Sequence, residues 1–166
     1  MQASTDPREF RHSLGQFATG IAVVTAHAAD GEHLGMTVNS FSSLSLDPPL
    51  VLFSLMRGSG GLARLLAADG FAINVLGAGQ REVSDLFARP QDGRWDKVAH
   101  RPGHAMAPLL EGALAHFECG HHCQYEGGDH VIVVGRVLRF TYDAAPPPLL
   151  YFRGRYHGVQ HDAAQG

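Results

Sequence analysis

At 166 residues, with 45% hydrophobic and 17% charged residues, the chain has the length and apolar content of one domain with a core, which excludes a disordered chain. A formal net charge of -3 offers no basic excess to a polyanion, so no nucleic-acid partner is expected. No apolar run approaches the roughly 20 residues of a membrane helix, Met1 to Phe10 lacks the regions of a secretory signal, and Cys119 and Cys123 stand too close together to staple a fold. The expectation is a cytoplasmic protein without a membrane partner.

In chain order, Asp6-Pro7-Arg8-Glu9 reads as a helix start, with Asp6 as cap, Pro7 at the first helical position and Glu9 completing a capping-box-like pattern. Phe10, Leu14 and Phe17 then recur at i, i+4, i+7, and Gly20 is placed to end the helix. Ile21 to Ala26 is β-branched and apolar, and Asp30-Gly31 is a turn signal before a second strand, Leu34 to Val38. Leu50 to Leu55 follows Asp47-Pro48-Pro49, where no regular ladder is expected to continue. Leu62 to Ala68 is a short helix, Phe71 to Leu76 a strand, and Gln80 to Ala88 a helix with Val83, Leu86 and Phe87 on one side.

Arg89 to His104 is polar and rich in breakers, the signature of a surface loop. Ala113 to Tyr125 alternates, with Ala113, Ala115, Phe117 and Cys119 on one face and Leu114, His116 and Glu118 on the other. His130 to Phe140 pairs with it across Glu126-Gly127-Gly128-Asp129, and Leu149 to Phe152 is a last strand after Pro146-Pro147-Pro148. Strands outnumber helices and few helices sit between strands as crossovers. That pattern predicts a mainly β fold, an antiparallel β-barrel with flanking helices. One domain is expected over 1–166, structured from about residue 7 to 156, with 157–166 a loose tail.

Three patterns bear on chemistry. Gly58-Ser59-Gly60-Gly61-Leu62-Ala63 fits G-x-G-x-x-A between a strand and a helix, as in a dinucleotide-binding Rossmann unit. The next strand ends in Leu76-Gly77 where a ribose-binding acid is needed, and no further βα units follow, so a phosphate-meeting turn in another fold is favoured. His116, Cys119, His121, His122 and Cys123 suggest zinc. On one extended strand, however, Cys119, His121 and Cys123 face one way and His122 the other, too spread to close a tetrahedron, so no metal is expected. Lys97 is the sole lysine, which leaves no Gly-Lys-Ser/Thr phosphate loop and one possible Schiff-base amine. His130, after Gly127-Gly128-Asp129, reads either as a rim side chain at a site or as a turn histidine satisfied by Asp129.

The segment from Gly35 to Leu50, with Thr37-Val38-Asn39-Ser40-Phe41-Ser42-Ser43 at its centre, resembles the flavin-binding stretch of the short-chain flavin reductases. These are the reductase components of two-component flavin-dependent monooxygenases. The likeness continues through Phe17-Ala18-Thr19-Gly20, Gly127-Gly128-Asp129-His130 and Tyr151-Phe152-Arg153-Gly154, nearly the whole chain in the family's order. Read from the residues alone, the same run is either an uncharged set of flavin donors or a serine-rich loop before a Pro-Pro break.

The resemblance implies an FMN-binding split barrel that works as a homodimer. It implies an NAD(P)H:flavin oxidoreductase, using NADH or NADPH to reduce FMN or FAD and passing the reduced flavin to a separate monooxygenase. By the same resemblance Thr37, Val38, Asn39 and Ser40 border the flavin ring, and Ser42 and Ser43 lie near the ribityl-phosphate. Ser54 and Ser59 are further contacts, and Phe87 and Arg89 sit near the flavin tail. His130 is the catalytic candidate that seats the nicotinamide, Asp129 orients it, and Tyr151, Arg153 and Tyr156 contact the nicotinamide coenzyme. A non-catalytic flavin-binding split-barrel protein and a pyridoxamine-phosphate-oxidase-like enzyme are the alternatives. The scarcity of lysine and the Gly-Asp-His turn speak against the second.

Overall fold

The computed structural model describes residues 5–159. The chain begins with α1 (Pro7–Leu14), β1 (Thr19–Gly20), β2 (Ala22–His27), β3 (His33–Val38), β4 (Ser42–Leu46) and β5 (Pro49–Met56). There follow α2 (Leu62–Leu66), β6 (Phe71–Val75), α3 (Arg81–Phe87), β7 (His100–Pro102) and β8 (Pro108–Leu110). The long pair β9 (Ala115–Gly127) and β10 (His130–Tyr142) precedes β11 (Leu150–Phe152) and β12 (Arg155–His157).

Seven strands form one antiparallel sheet in the order β3-β2-β6-β9-β10-β5-β4. The sheet does not close by a ladder between its two edges, β3 and β4. Instead Ser40, just after β3, pins the seam to β5: its hydroxyl accepts from Ser54 N (2.9 Å) and lies 3.1 Å from Ser54 O. The result is a split barrel, mainly β, as expected. A small sheet, β1-β11-β12, caps one side, and β7 and β8 form a two-stranded ribbon.

The two-residue period of a strand sorts the core into an inner and an outer layer. Along β2, Ala22, Val24 and Ala26 face the barrel interior with Leu34, Phe53, Leu65, Phe71 and Val133. Val23, on the opposite face, joins Ile21, Leu76, Phe87, Leu110 and Leu149 under α3 and the small sheet. Five successive residues of β2 are therefore buried, which is why this strand reads as continuously apolar rather than alternating. Phe53 meets Phe71 edge-on at 5.4 Å in the interior, an arrangement worth about 1 kcal/mol beyond burial. Gly135 lies beneath this pair, since a Cβ there would come within 2.5 Å of the Phe71 ring.

One buried polar network joins the sheet to the β7–β8 ribbon. The Asn74 amide donates to Val23 O (3.0 Å) and Thr25 Oγ1 (3.1 Å) and accepts from Leu110 N (2.9 Å). Thr25 Oγ1 in turn donates to Pro108 O (2.5 Å).

Several local expectations are met and several revised. Asp6 caps α1, its carboxylate accepting from Arg8 N (2.7 Å) and Glu9 N (3.1 Å). The helix stops at Leu14 with Gly15 as its C-cap, earlier than Gly20, because Ser13 and Gly15 are poor helix formers and the Ser13 hydroxyl bonds back to Phe10 O. None of α1 is buried, and Phe10 is 64% and Phe17 79% exposed.

The serine run contains an edge strand, β4, absent from the sequence reading. It turns into β5 through Asp47-Pro48, whose peptide is cis, with Leu46 opposite Pro49. Arg89 to His104 is not entirely loop, since β7 starts at His100. The facing predicted for β9 breaks at a bulge: Cys123 pairs with Val134 and His121 with Gly135, leaving His122 unpaired between them. Cys123 therefore leaves the face of Cys119 and His121. Cys119 is fully buried, and that burial pushes its thiol up to about 12. Of the expected loose tail, His157 belongs to β12, and 160–166 lies outside the described residues. Among the described residues no helix is long and apolar enough to cross a membrane.

Candidate functional site

A cleft of about 560 Å³ runs along the seam of the barrel, between β3 and the end of α3 on one wall and β5 and His130 on the other. It gathers Thr37, Val38, Asn39, Ser40, Ser54, Ser59, Phe87, Arg89 and His130 of the expected site residues. Ser42 and Ser43 are not among its lining: both are exposed on the edge strand, and the Ser42 hydroxyl donates to Ser43 O (3.2 Å). Asp129 also stands outside, behind His130. Tyr151 and Tyr156 line a second cleft, and Arg153 turns away to Gln16, donating to its side-chain oxygen at 2.6 and 2.8 Å.

The hydroxyls that a sequence reading would offer to a ligand are partly spent on the fold. Thr37 Oγ1 donates to Ser84 O (2.7 Å), fastening β3 to α3. The Ser40 hydroxyl closes the seam, and Ser59 N bonds back to Met56 O (2.9 Å) in the turn after β5. The Asn39 amide is exposed at the cleft without an intramolecular partner among the described residues. Gly61 fits its place because a Cβ would come within 2.6 Å of Met36 Sδ. Gly35 does so because a Cβ would lie 2.4 Å from the Phe87 ring and 3.1 Å from Trp95. Small residues thus let α2, α3 and the Trp95 turn close against β3 and shape the cleft.

Electrostatics decide what the cleft can hold. Three arginines line it, Arg64, Arg89 and Arg94, and among the described residues no carboxylate does. Arg64 is braced from behind: one terminal nitrogen donates to Asp30 (2.6 and 2.8 Å) and to Glu32 (2.8 Å). Its Nε is buried with no partner. Hydrogen bonds from Arg64 hold the Asp30 carboxyl below the usual range. Arg94 lies over the Phe87 ring at 5.3 Å, and burial, with the nearby charge of Arg64, lowers its pKa. Arg94, partly desolvated and without a carboxylate partner among the described residues, together with the orphan Nε–H of Arg64, forms a site that an anion would relieve. The residues present therefore fit a phosphorylated ligand.

His130 stands on the rim, opposite Met56 in the β5–β10 ladder. The turn before it places Gly128 at positive φ and is held by Arg57, whose main chain bonds Asp129 O (2.9 Å) and whose side chain bonds Glu126 and Gly128 O. His130 Nδ1 lies 2.7 Å from Asp129 Oδ1, and that bond holds the Asp129 carboxyl below its ordinary value. The ionised Asp129 carboxylate accepts a hydrogen bond from Nδ1–H of His130, which fixes the ring and leaves Nε2 free of that bond.

A second cleft, of about 700 Å³, shares Ala88 and Arg89 with the first. Its other lining residues come from α3 and from the β11–β12 hairpin, whose turn residues Arg153 and Gly154 are both at positive φ. Tyr156 OH bonds Ser84 Oγ (2.9 Å) and Asp85 Oδ1 (2.8 Å) and so fixes the hairpin on α3.

Residues 14–160 match the flavin reductase-like domain. The chain belongs to that family. Within it, this flavin reductase-like chain is 41% identical over 156 residues to the reductase component of the flavin-dependent trigonelline monooxygenase of Acinetobacter baylyi, covering 94% of this chain and 50% of that one. It is 39% identical to the reductase subunit HsaB of a flavin-dependent monooxygenase of Mycobacterium tuberculosis, covering 96% and 86%. The chain spans about half the length of the first two curated relatives it matches. Among solved structures, the NADH:FAD oxidoreductase of Streptomyces globisporus superposes with a TM-score of 0.90 at 40% identity, covering 98% of this chain and all of that one.

The sequence reading passed over Arg64 and Arg94 in the first cleft and Arg81, Asp85 and Arg155 in the second. The signal available for them was compositional: of 13 basic residues all but Lys97 are arginine, the side chain suited to phosphate.

Proposed function

We propose that the chain is an NAD(P)H-dependent flavin reductase of one domain, supplying reduced FMN or FAD to a separate flavin-dependent monooxygenase component. The observation that carries this reading is the seam cleft, lined by polar strand residues and three arginines and free of carboxylates among the described residues. The relatives named as reductase components of monooxygenases support the partner. Bound flavin would supply a two-electron acceptor for hydride from the nicotinamide, chemistry that needs no covalent protein nucleophile.

The chain's own residues bind and orient. Asn39 and the main chain from Thr37 to Ser40 face the ring system, with Ser54, Ser59 and Phe87 bordering it, and Arg64 and Arg94 meet the phosphate in place of Ser42 and Ser43. Arg89 stands by the flavin tail. His130, oriented by Asp129, seats the nicotinamide and can accept a proton at Nε2. Following NADH and NADPH absorbance with FMN or FAD tests this directly: loss that depends on added flavin is expected. No loss with any pair, while flavin still binds, would leave a non-catalytic flavin carrier.

The assembly is a homodimer and its setting cytoplasmic in this reading. Support for the first comes from apolar side chains that this chain leaves uncovered, among them Phe10 of α1, Phe17 just after it and Leu46, which is 95% exposed. Support for the second comes from two cysteines that are both free thiols. Sedimentation equilibrium should return twice the chain mass of 17.8 kDa, and Phe17→Asp should shift it toward the single-chain value.

A further inference from the structure

The second cleft holds Tyr151 and Tyr156, which the family resemblance sets beside the nicotinamide coenzyme, and its lining also suits a further phosphorylated group. Three guanidinium groups, Arg81, Arg89 and Arg155, border it together with two tyrosine rings, Tyr151 and Tyr156. The rings meet edge-on at 5.4 Å, and Arg81 lies over the Tyr156 ring at 5.2 Å. Asp85 is the carboxylate in the lining, and it is engaged by Tyr156 OH at 2.8 Å and by Arg81 at 3.7 Å. Arg89 and Arg155 have no carboxylate partner among the described residues. Aromatic faces beside uncompensated guanidiniums suit a flat heterocycle joined to phosphates.

Position narrows the ligand. The two clefts meet at Ala88 and Arg89, on the α3 wall of the first cleft, whereas His130 stands on the β5–β10 wall. A ligand whose phosphate end lies near Arg89 can continue into the second cleft, but one that enters beside His130 approaches from the other wall.

We propose that the second cleft binds the adenosine-phosphate half of FAD, with Arg89 at the junction beside the pyrophosphate and Arg81, Arg155 and Tyr151 beyond it. The proposal rests on the flavin reading of the first cleft and selects FAD over FMN as the preferred flavin. FMN ends at the junction and leaves the second cleft to water.

The test is isothermal titration of FAD and of FMN into the wild-type chain, Arg155→Gln and Tyr151→Leu, joined to the KM for NADH measured with each flavin. Arg155 is exposed in a hairpin, so its replacement spares the core. The expected result is tighter binding of FAD than FMN by the wild type, and a ratio of Kd(FAD) to Kd(FMN) that rises about tenfold in each variant, the effect of one charge-assisted or stacking contact. An unchanged ratio with both flavins still bound would overturn the proposal and leave the flavin reading standing. A rise in the NADH KM with both flavins would also overturn it, by moving the nicotinamide coenzyme's adenylate into the second cleft. Failure of the wild type to bind either flavin would overturn the flavin reading itself, and this proposal with it.

Discussion

Charge reversal at Arg94 is expected to raise the KM for both FMN and FAD by about a hundredfold, while kcat at saturating flavin changes by less than about twofold. Removing a charge-assisted hydrogen bond costs about 2 kcal/mol, somewhat more than a factor of ten, and a carboxylate in its place adds repulsion against the ligand phosphate. The effect falls on KM because the phosphate is remote from the reacting atoms and is bound alike in the ground and transition states. Arg94 is a suitable probe because its guanidinium lies over the Phe87 ring without a carboxylate partner among the described residues, and its charge is already disfavoured by burial and by Arg64. Arg94→Gln should give an intermediate KM, and neither variant should shift the thermal midpoint by more than about 2 °C, as expected of a side chain without an ion pair. Steady-state kinetics with each flavin at fixed NADH decides the matter. Unchanged KM values for both flavins would remove Arg94 from the phosphate site. The pattern differs from that expected of Arg155→Gln, which separates FAD from FMN.

The largest loss of stability is expected from Asn74→Ala, about 4 kcal/mol. Asn74 is fully buried and satisfies three separate groups: Val23 O, Thr25 Oγ1 and Leu110 N. Alanine would leave Leu110 N and Val23 O short of partners where water cannot replace them, at about 1 to 3 kcal/mol each, and would open a small void. For a domain of this size the thermal midpoint should fall by about 10 °C, measurable by calorimetry or circular dichroism. Thr25→Val should cost less, about 2 kcal/mol, because it deprives chiefly Pro108 O of its partner. A midpoint within about 2 °C of the wild type for Asn74→Ala would mean that the network carries little of the link between β2, β6 and β8.

Much of this architecture is written locally, and there the sequence sufficed. The Asp6 cap, the Gly128-Asp129 turn, the apolar runs of β2, β5 and β6 and the donor-rich stretch after Gly35 each depend on neighbours a few residues away, so their chemistry is visible in the string. The order of motifs from Phe17 to Arg153 likewise sufficed to indicate the family, since it needs no knowledge of contacts.

What only the tertiary structure decided lies in long-range encounters. β4 could not be read from Ser42 to Leu46 because its strand character comes from pairing with β5, not from its own polar side chains. The bulge at His122 depends on how β9 meets β10, so a strict alternation misplaced Cys123. Thr37 and Ser40 were legible as donors, but α3 and β5 take up their hydroxyls once the barrel curls. The cationic character of the cleft was the least legible feature. Arg64 on α2, Arg89 after α3 and Arg94 in the following loop are separated along the chain and become one electrostatic site only because the fold brings them to the same cleft.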